Sequence, residues 1–304
     1  KQVWTLSNSQ GEKKTRRWEN YTDLAQLAAG ISASSPADSR SRFIYDNLHL
    51  PAVINYLAVA RIAQECDDVW ANMTVYRDSE GTKEWRIIPF DVNLSFGQLY
   101  YGDSPSTNGG VQATNDGNKS HPLYGSSACG TTTYRVGYYN RLDNAVVQTP
   151  ATRAMLLRRI RTLMDRYLAT NAASSPLETR FDAIGAQINA EAVVDRSRWG
   201  WPNGADPYGF SGNISAAQGL ATLKTSFLAP RRTHFYTTHS VQNTTKPIGI
   251  GNNDNAGIPN TQVATPVIQF GTIESQPVSG NSDEEYIELV NPGPDAVDMS
   301  AWVL

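Results

Sequence analysis

Cysteine and histidine are scarce in this sequence. It has two cysteines, Cys66 and Cys129, which are too few for a disulfide scaffold or a four-thiolate metal site. Its four histidines form no HExxH motif and no closely spaced pair. Because histidine-built zinc sites usually show such spacing, the sequence predicts neither a zinc site nor a transition-metal enzyme.

Long apolar runs and a strong excess of positive charge are also missing. No stretch of about 18 apolar residues occurs, so no segment is predicted to span a bilayer as a helix. The net charge is −3, and Lys and Arg form no dense stripe, so nucleic acid is not predicted as a partner. The opening residues, KQVWTLSNSQ, lack the apolar core of a signal peptide, and we expect any export signal to lie outside this chain.

What the sequence does contain is enough apolar residues for a substantial core, arranged mainly in helical patterns. The chain has 304 residues, 40% of them hydrophobic, which suits one large domain or one domain plus a smaller module. Helices are predicted at 20–31, at 38–48 and from 50 to about 65, and again between 150 and 240. Residues 98–149 are rich in Gly, Asn, Ser and Tyr and predict a long surface excursion.

Two regions show strand patterns instead. The runs WANMTVYRD and TKEWRIIPF, separated by Ser79, Glu80 and Gly81, predict a β-hairpin. A polar linker at 241–265 is followed by three short alternating runs, PVIQFGTIES, EEYIELVNP and AWVL. These predict a small β-sandwich with too few strands to close it.

Three acidic residues, Glu65, Asp67 and Asp68, crowd the predicted end of the helix that begins near residue 50. A helix C-terminus carries partial negative charge, so a compensating cation is expected there. The predicted hairpin returns the chain from Asn72 to Asp91, and we expect both to converge with Asp67. Oxygen ligands without sulfur or imidazole suit a hard cation such as Mg²⁺, held partly by substrate phosphates.

The spacing of these residues follows the logic of a protein-kinase active site. In kinases an Asp accepts the proton of the substrate hydroxyl, an Asn five residues later holds a metal, and an Asp before Phe-Gly holds metal as well. Asp67 and Asn72 are also five residues apart, and Asp91 is followed by VNLSFG. The order of helix, Asp-x4-Asn, hairpin and PFDVNLSFG resembles the spore-coat protein H (CotH) kinase family, which comprises secreted or surface kinase-like proteins of bacteria and some fungi.

Further segments carry the same resemblance. NYLAVARIAQ, HPLYG, RRIRTLMDRYL, INAEAVVDRSRWG and LKTSFLAPRRTHFY are similar to the helical part of that family, so that the resemblance covers roughly residues 20–240. The tail from IESQPVSGNSDEEYIELV to the end resembles the opening half of a lamin-tail domain.

For the fold, the resemblance implies an α+β chain. Residues 1–240 would form an atypical protein-kinase-like domain, with a mainly helical C-lobe and a short β-hairpin at the active site. Residues 241–265 would be a linker, and 266–304 a partial lamin-tail β-sandwich of Ig-like type. No Gly-rich strand-turn-strand is evident among the first 66 residues, and Lys1, Lys13 and Lys14 are weak candidates for the nucleotide-binding lysine, so the nucleotide lobe is expected before Lys1.

For function, the resemblance implies transfer of the γ-phosphoryl group of ATP to Ser or Thr of surface or coat proteins, or of the chain itself, with Mg²⁺ or Mn²⁺. Asp67 would be the catalytic residue, and Asn72 and Asp91 would bind the nucleotide and the metal. Asn93, which stands where the family usually has Asp, would be a further metal ligand. Family members with a lamin-tail module are generally exported, so a secreted or cell-surface location is expected.

Alternatives from other classes remain open. A catalytically degenerate kinase-fold scaffold or adhesin is favoured by Asn93 and by the long 98–149 excursion. A phosphoesterase using the same acidic site is less favoured, because no His or further Asp pair supports a two-metal clamp. The arginines at 158, 159, 161 and 166 predict a solvated helix face, with recognition of an acidic or phosphorylated partner as the alternative.

Overall fold

A computed structural model describes most of the chain outside the 98–139 and 200–214 regions. It covers residues 2–7, 10–65, 72–97, 111, 113–114, 116, 120–123, 140–199, 215–245, 257–300 and 302–303, with only the backbone of 2–12. These residues combine helices with small antiparallel sheets, which confirms the α+β class.

The described α-helices account for most of the regular structure. They are α1 Thr22–Gly30, α2 Ala37–Asn47, α3 Leu50–Ala63, α4 Arg141–Gln148, α5 Pro150–Leu163, α6 Pro176–Trp199, α7 Ala216–Thr222 and α8 Ala229–Thr233. Wider π-helical turns extend these helices at Met164–Leu168, Leu223–Leu228 and His234–Thr238. Among the helices that the structure describes, none combines the length and apolar composition needed to cross a bilayer.

The main sheet has four antiparallel strands in the order β2-β1-β3-β4. The strands are β1 Gln2–Ser7, β2 Gln10–Lys13, β3 Met73–Arg77 and β4 Trp85–Pro89. The predicted hairpin is β3 and β4. Strands β1 and β2, which the sequence patterns did not predict, form a second hairpin, and β1 pairs with β3. β1 and β2 are six and four residues long, and β1 lies between β2 and β3 in the sheet. Pairing within the sheet therefore supplies stability that the local sequence pattern does not show.

The first three helices lie within one or two residues of their predicted bounds, and local signals explain why. Pro51 sits in the first turn of α3, and the His49 ring accepts a hydrogen bond from the Ala52 N–H. At the other end Gln64 adopts a left-handed conformation with φ of 51°, which terminates the helix. Helix α4 lies inside the 98–149 stretch that was expected to lack periodicity, so that expectation was too broad.

The core forms where α3 packs on α5 and the sheet packs on α3 through β4. Trp85 of β4 is buried, and its carbonyl accepts a hydrogen bond from His49 N–H at 2.9 Å. The large side chains buried most fully include Ile44, Leu57, Leu156, Ile160, Met164, Phe227 and Phe235. Because one cluster joins the sheet, α3 and α5, the end of the β3–β4 hairpin is held at a fixed place on the helical body.

The C-terminal segment lies on α5 and contacts its arginines. Arg158 is buried and donates hydrogen bonds to the carbonyls of Asn260 and Ala296 at 2.8 and 2.7 Å. Arg159 pairs with Asp298 at 3.0 Å. The prediction of a solvated arginine face is therefore wrong for these residues, because the chain's own tail covers them.

Two of the three predicted tail strands are present. They are β5 Gln269–Glu274 and β6 Tyr286–Val290, which pair antiparallel with a register shift between Phe270 and Ile273. Both faces of this two-stranded sheet are exposed. Of the third run, AWVL, the described residues 302 and 303 are not in a strand.

Candidate functional site

The segment that follows the β3–β4 hairpin is anchored to the C-terminal end of α3. Glu65 is buried and accepts a hydrogen bond from Ser95 Oγ at 2.7 Å. The Phe96 N–H donates to the carbonyl of Ala63 at 2.6 Å. Glu65 is thus a fixed point for the returning chain, which explains at least one of the acids at this helix end.

The hairpin brings Asn72 and Asp91 together, as its geometry predicts. Met73 pairs with Pro89, so the residues that flank the two strands lie at the same end. The Asn72 side-chain N–H donates to the backbone carbonyl of Asp91 at 3.4 Å. Both residues have positive φ, 52° and 51°, a conformation that costs non-glycine residues energy and is common at functional sites.

The end of the hairpin is open to solvent. Asp91 and Asn93 are exposed, and Asn72 is half-buried beside them. Asn72, Asp91 and Asn93 offer amide and carboxylate oxygens, the ligand type that a hard divalent cation such as Mg²⁺ or Mn²⁺ prefers.

The catalytic candidate Asp67 lies outside the described residues, as do Asp68 and Cys66. The structure describes the chain up to Glu65 and again from Asn72. Lys13, one of the weak lysine candidates, is buried at the end of β2, where its Nζ lies 3.2 Å from Glu19 and 4.0 Å from Asp23.

A second group of chemically active side chains lies elsewhere and was missed in the sequence. The Nε2 atoms of His234 and His239 lie 2.8 and 2.9 Å from the Asp116 carboxylate. Both histidines are buried, and one ligand atom from each of the three residues lies within 4.8 Å of the others. The spacing of the histidines in the sequence therefore did not reveal that two of them lie together in the fold.

A π-helical turn explains why the spacing concealed this pair. Residues five apart in an α-helix point about 140° apart, since each residue turns about 100°. The His239 N–H donates to the His234 carbonyl at 2.9 Å, which is the i to i+5 bond of a π-helix. This wider turn places both rings on one side. The only signal in the sequence was H-x4-H within a helical pattern.

Asp116 reaches the two histidines because its segment is tied to α8. Arg231 is fully buried, and its Nη1 donates to the carbonyls of Ala113 and Ser120 at 3.0 and 2.6 Å. His121 packs against His239, with ring centroids 4.7 Å apart, and its Nδ1 accepts a hydrogen bond from the Leu123 N–H.

The protonation states at this cluster follow from burial and hydrogen bonding. Burial alone would raise the pKa of Asp116, but hydrogen bonds from His234 and His239 outweigh burial and hold that pKa well below its usual range. Burial lowers the pKa of His121 to about 3 and also lowers the pKa of His234. At neutral pH the Asp116 carboxylate is therefore ionised, and the pKa shifts of His121 and His234 favour their neutral imidazoles.

A cleft of about 530 Å³ lies away from both groups, between α3, α5 and the tail. Its lining includes Ile54, Met155, Arg159 and Asp298. The charged pair in it already joins α5 to the tail, so we assign the cleft to the packing of that tail.

Comparison with known proteins shows which family the chain resembles. The family model described as "CotH kinase protein" matches residues 2–225, which include the β3–β4 hairpin and its polar end but neither His234 nor the tail. In comparisons with curated proteins and with solved structures, no protein matched. Because the matched residues make up well over half of its length, the chain belongs to the CotH kinase protein family, as its motifs predict.

Proposed function

We propose that the protein transfers the γ-phosphoryl group of ATP to Ser or Thr residues of surface or coat proteins, or to its own. Membership in the CotH kinase family indicates a kinase-like function, and with it a nucleotide, a divalent metal and protein substrates in general. The observation that carries the finer proposal is the meeting of Asn72 and Asp91 at the open end of the hairpin.

The proposed roles follow the chemistry of phosphoryl transfer. The substrate hydroxyl oxygen bonds to the γ-phosphorus, the bond to the ADP oxygen breaks, and the hydroxyl proton passes to the Asp67 carboxylate. Asn72, Asp91 and Asn93 would hold Mg²⁺ or Mn²⁺ through side-chain oxygens. When bound, the metal neutralises charge on the β- and γ-phosphates.

The anchoring of the hairpin end supports these roles. Ser95 and Phe96 join the 91–97 segment to α3 through Glu65 and Ala63. A ligand set must keep its geometry to within a fraction of an ångström, and two hydrogen bonds to a buried helix end favour that.

The domain organisation and location are part of the same proposal. Residues 1–240 would be the kinase-like domain, 241–265 the linker and 266–304 part of a lamin-tail domain. The two strands β5 and β6 support the last assignment. A lamin-tail module would favour a secreted or cell-surface protein.

The test is phosphate transfer from labelled ATP by the full-length protein with Mg²⁺ or Mn²⁺. We expect Asp67→Asn and Asp91→Asn to lose at least about 100-fold in rate, because each removes a charge needed in the transition state. Asp46→Asn changes an exposed acid on α2 and is the matched control. Equal labelling by the wild type and both site variants would contradict the assignment.

A catalytically degenerate scaffold or adhesin predicts a different result. Saturating ATP with Mg²⁺ stabilises a protein that binds it, by about 2.7 kcal/mol at 100 times the dissociation constant. A pure scaffold would show neither this rise in melting temperature nor any labelling. Asn93, which lacks the charge of the Asp usual in the family, is the feature that favours this alternative.

A further inference from the structure

We propose that Asp116, His234 and His239 bind a first-row divalent transition-metal ion, with Zn²⁺ as the expected occupant. The three residues come from two segments far apart in the sequence, and their ligand atoms converge within 4.8 Å. This site is separate from the polar end of the hairpin, and the proposal does not depend on kinase activity.

The distances in the cluster are close to those that a metal requires. His234 Nε2 lies 2.8 Å from Asp116 Oδ1, and His239 Nε2 lies 2.9 Å from Asp116 Oδ2. With metal–ligand bonds of about 2.0–2.1 Å, ligand atoms around tetrahedral Zn²⁺ lie roughly 3.3 Å apart. The His234–Asp116 and His239–Asp116 pairs therefore need to separate by roughly 0.5 and roughly 0.4 Å for the ion to replace the bridging protons.

One buried atom points to an incomplete set of partners. His239 is 2% exposed, and its Nδ1 has no hydrogen-bond partner among the described residues. A buried ring nitrogen without a partner is costly, whichever nitrogen carries the proton. Hydrogen bonding of Nε2 to Asp116 thus leaves this imidazole only half satisfied.

The ligand atoms of Asp116, His234 and His239 indicate which metal ion would bind. Two imidazole nitrogens and one carboxylate oxygen suit Zn²⁺ and its first-row neighbours, whereas Mg²⁺ prefers oxygen ligands and water. Three protein ligands leave a fourth position for water.

His121 forms a wall of the site and is not a ligand. Its Nδ1 lone pair accepts the Leu123 N–H at 3.1 Å, so its Nε2 carries the proton of the neutral ring. The His121 ring instead packs edge-on against that of His239. This arrangement makes His121 an internal control for the proposal.

The position of the site indicates a structural role. Asp116 belongs to the segment held by Arg231, and the His239 carbonyl accepts a hydrogen bond from the Ile258 N–H at 2.8 Å. Three stretches of chain thus meet at the cluster. An ion there would join the end of the helical body to the segment around Asp116 and to the start of the tail.

The test measures Zn²⁺ and Co²⁺ binding by the full chain, prepared without a histidine tag and stripped of metal. We expect one ion per chain, visible absorption from four-coordinate Co²⁺, and no displacement by millimolar Mg²⁺. Asp116→Asn and His239→Gln should each weaken Zn²⁺ binding at least tenfold, because each removes a ligand at nearly constant size. His121→Asn and His49→Asn should bind within about threefold of the wild type, since neither supplies a ligand.

Two results would overturn the proposal. One is wild-type protein that takes up no stoichiometric Zn²⁺ and shows no Co²⁺ absorption. The other is unchanged Zn²⁺ affinity in Asp116→Asn. Should a variant fail to fold, the melting temperature of the wild type decides, because Zn²⁺ must raise it and a chelator must reverse the rise. Labelling by ATP is measured separately, so failure of this proposal leaves the kinase assignment untouched.

Discussion

At the scale of residues, buried charges in this protein are held by partners far away in the sequence. Arg61 and Asp143 are 2% and 1% exposed and form an ion pair between α3 and α4. Arg232 donates to Glu178 at 2.6 Å, which joins α8 to α6. Removing one member of such a pair leaves the other charge buried without compensation.

Asp143→Ala is therefore expected to destabilise the protein by about 3–5 kcal/mol, measured by chemical denaturation. Asp182→Ala removes an acid that is 64% exposed and pairs with Lys224, and should cost less than about 1 kcal/mol. The double variant Arg61→Met with Asp143→Leu should recover most of the loss, because it removes both charges. Equal effects of Asp143→Ala and Asp182→Ala would contradict a buried pair.

The difference between local contacts and contacts between distant segments explains which candidate site residues the sequence could predict. Asn72 and Asp91 are joined by one local hairpin, so their meeting follows from strand pattern and turn residues alone. Asp116 meets His234 only through tertiary packing around Arg231. No local pattern encodes such a contact, and the π-helical turn concealed the histidine spacing.

At the scale of elements, the 91–97 segment depends on one aromatic anchor. Phe96 has φ of 63° and lies edge-on to Phe181 and Phe227, with ring centroids 5.4 and 5.7 Å apart. Both partner rings belong to the helical body. Phe96 therefore fixes the chain five residues after Asp91 and links the hairpin end to the core.

Phe96→Ala should reduce stability by about 2–3 kcal/mol, because it removes two aromatic contacts and leaves a partial cavity. Hydrogen exchange should also quicken in the 91–97 segment. Phe90→Ala is the matched control, since Phe90 is 54% exposed in the same stretch and should change stability by less than about 0.5 kcal/mol. Similar melting temperatures for the two variants would show that Phe96 is not an anchor.

Elements with complete local signals were predicted, and those stabilised by pairing were not. Helix α3 has Pro51 in its first turn, a His49 cap and continuous apolar residues, so its bounds follow from the sequence. Strand β1 pairs with β3, some 60 residues later, and β2 pairs with β1, and both strands carry little pattern of their own. Helix α4 is only eight residues long, and the polar stretch before it masked its start.

At the scale of the whole molecule, α5 joins the helical body to the tail. Burial alone would raise the pKa of Asp298, but hydrogen bonds from Ser300 and Arg159 lower it to about 2. Its folded pKa is below the unfolded value of 3.8, so this contribution to docking is present above that pH and is lost as pH falls toward 2. The ion pair with Arg159 thus stays intact at neutral pH.

Arg158→Ala should loosen the tail without unfolding the helical body. Arg158 donates to the Asn260 and Ala296 carbonyls, and charge-assisted bonds of this kind are worth about 1.5–3 kcal/mol each. Hydrogen exchange at 259–262 and 295–300 should therefore quicken by at least about 100-fold at pH 7, with little change in α3. Arg166→Ala, on the same helical segment but exposed, should leave those rates unaltered. Wild-type rates corrected for intrinsic exchange should agree at pH 5 and pH 7, because Asp298 stays ionised at both. Unchanged exchange in Arg158→Ala would mean that the tail is held by contacts other than the arginines of α5.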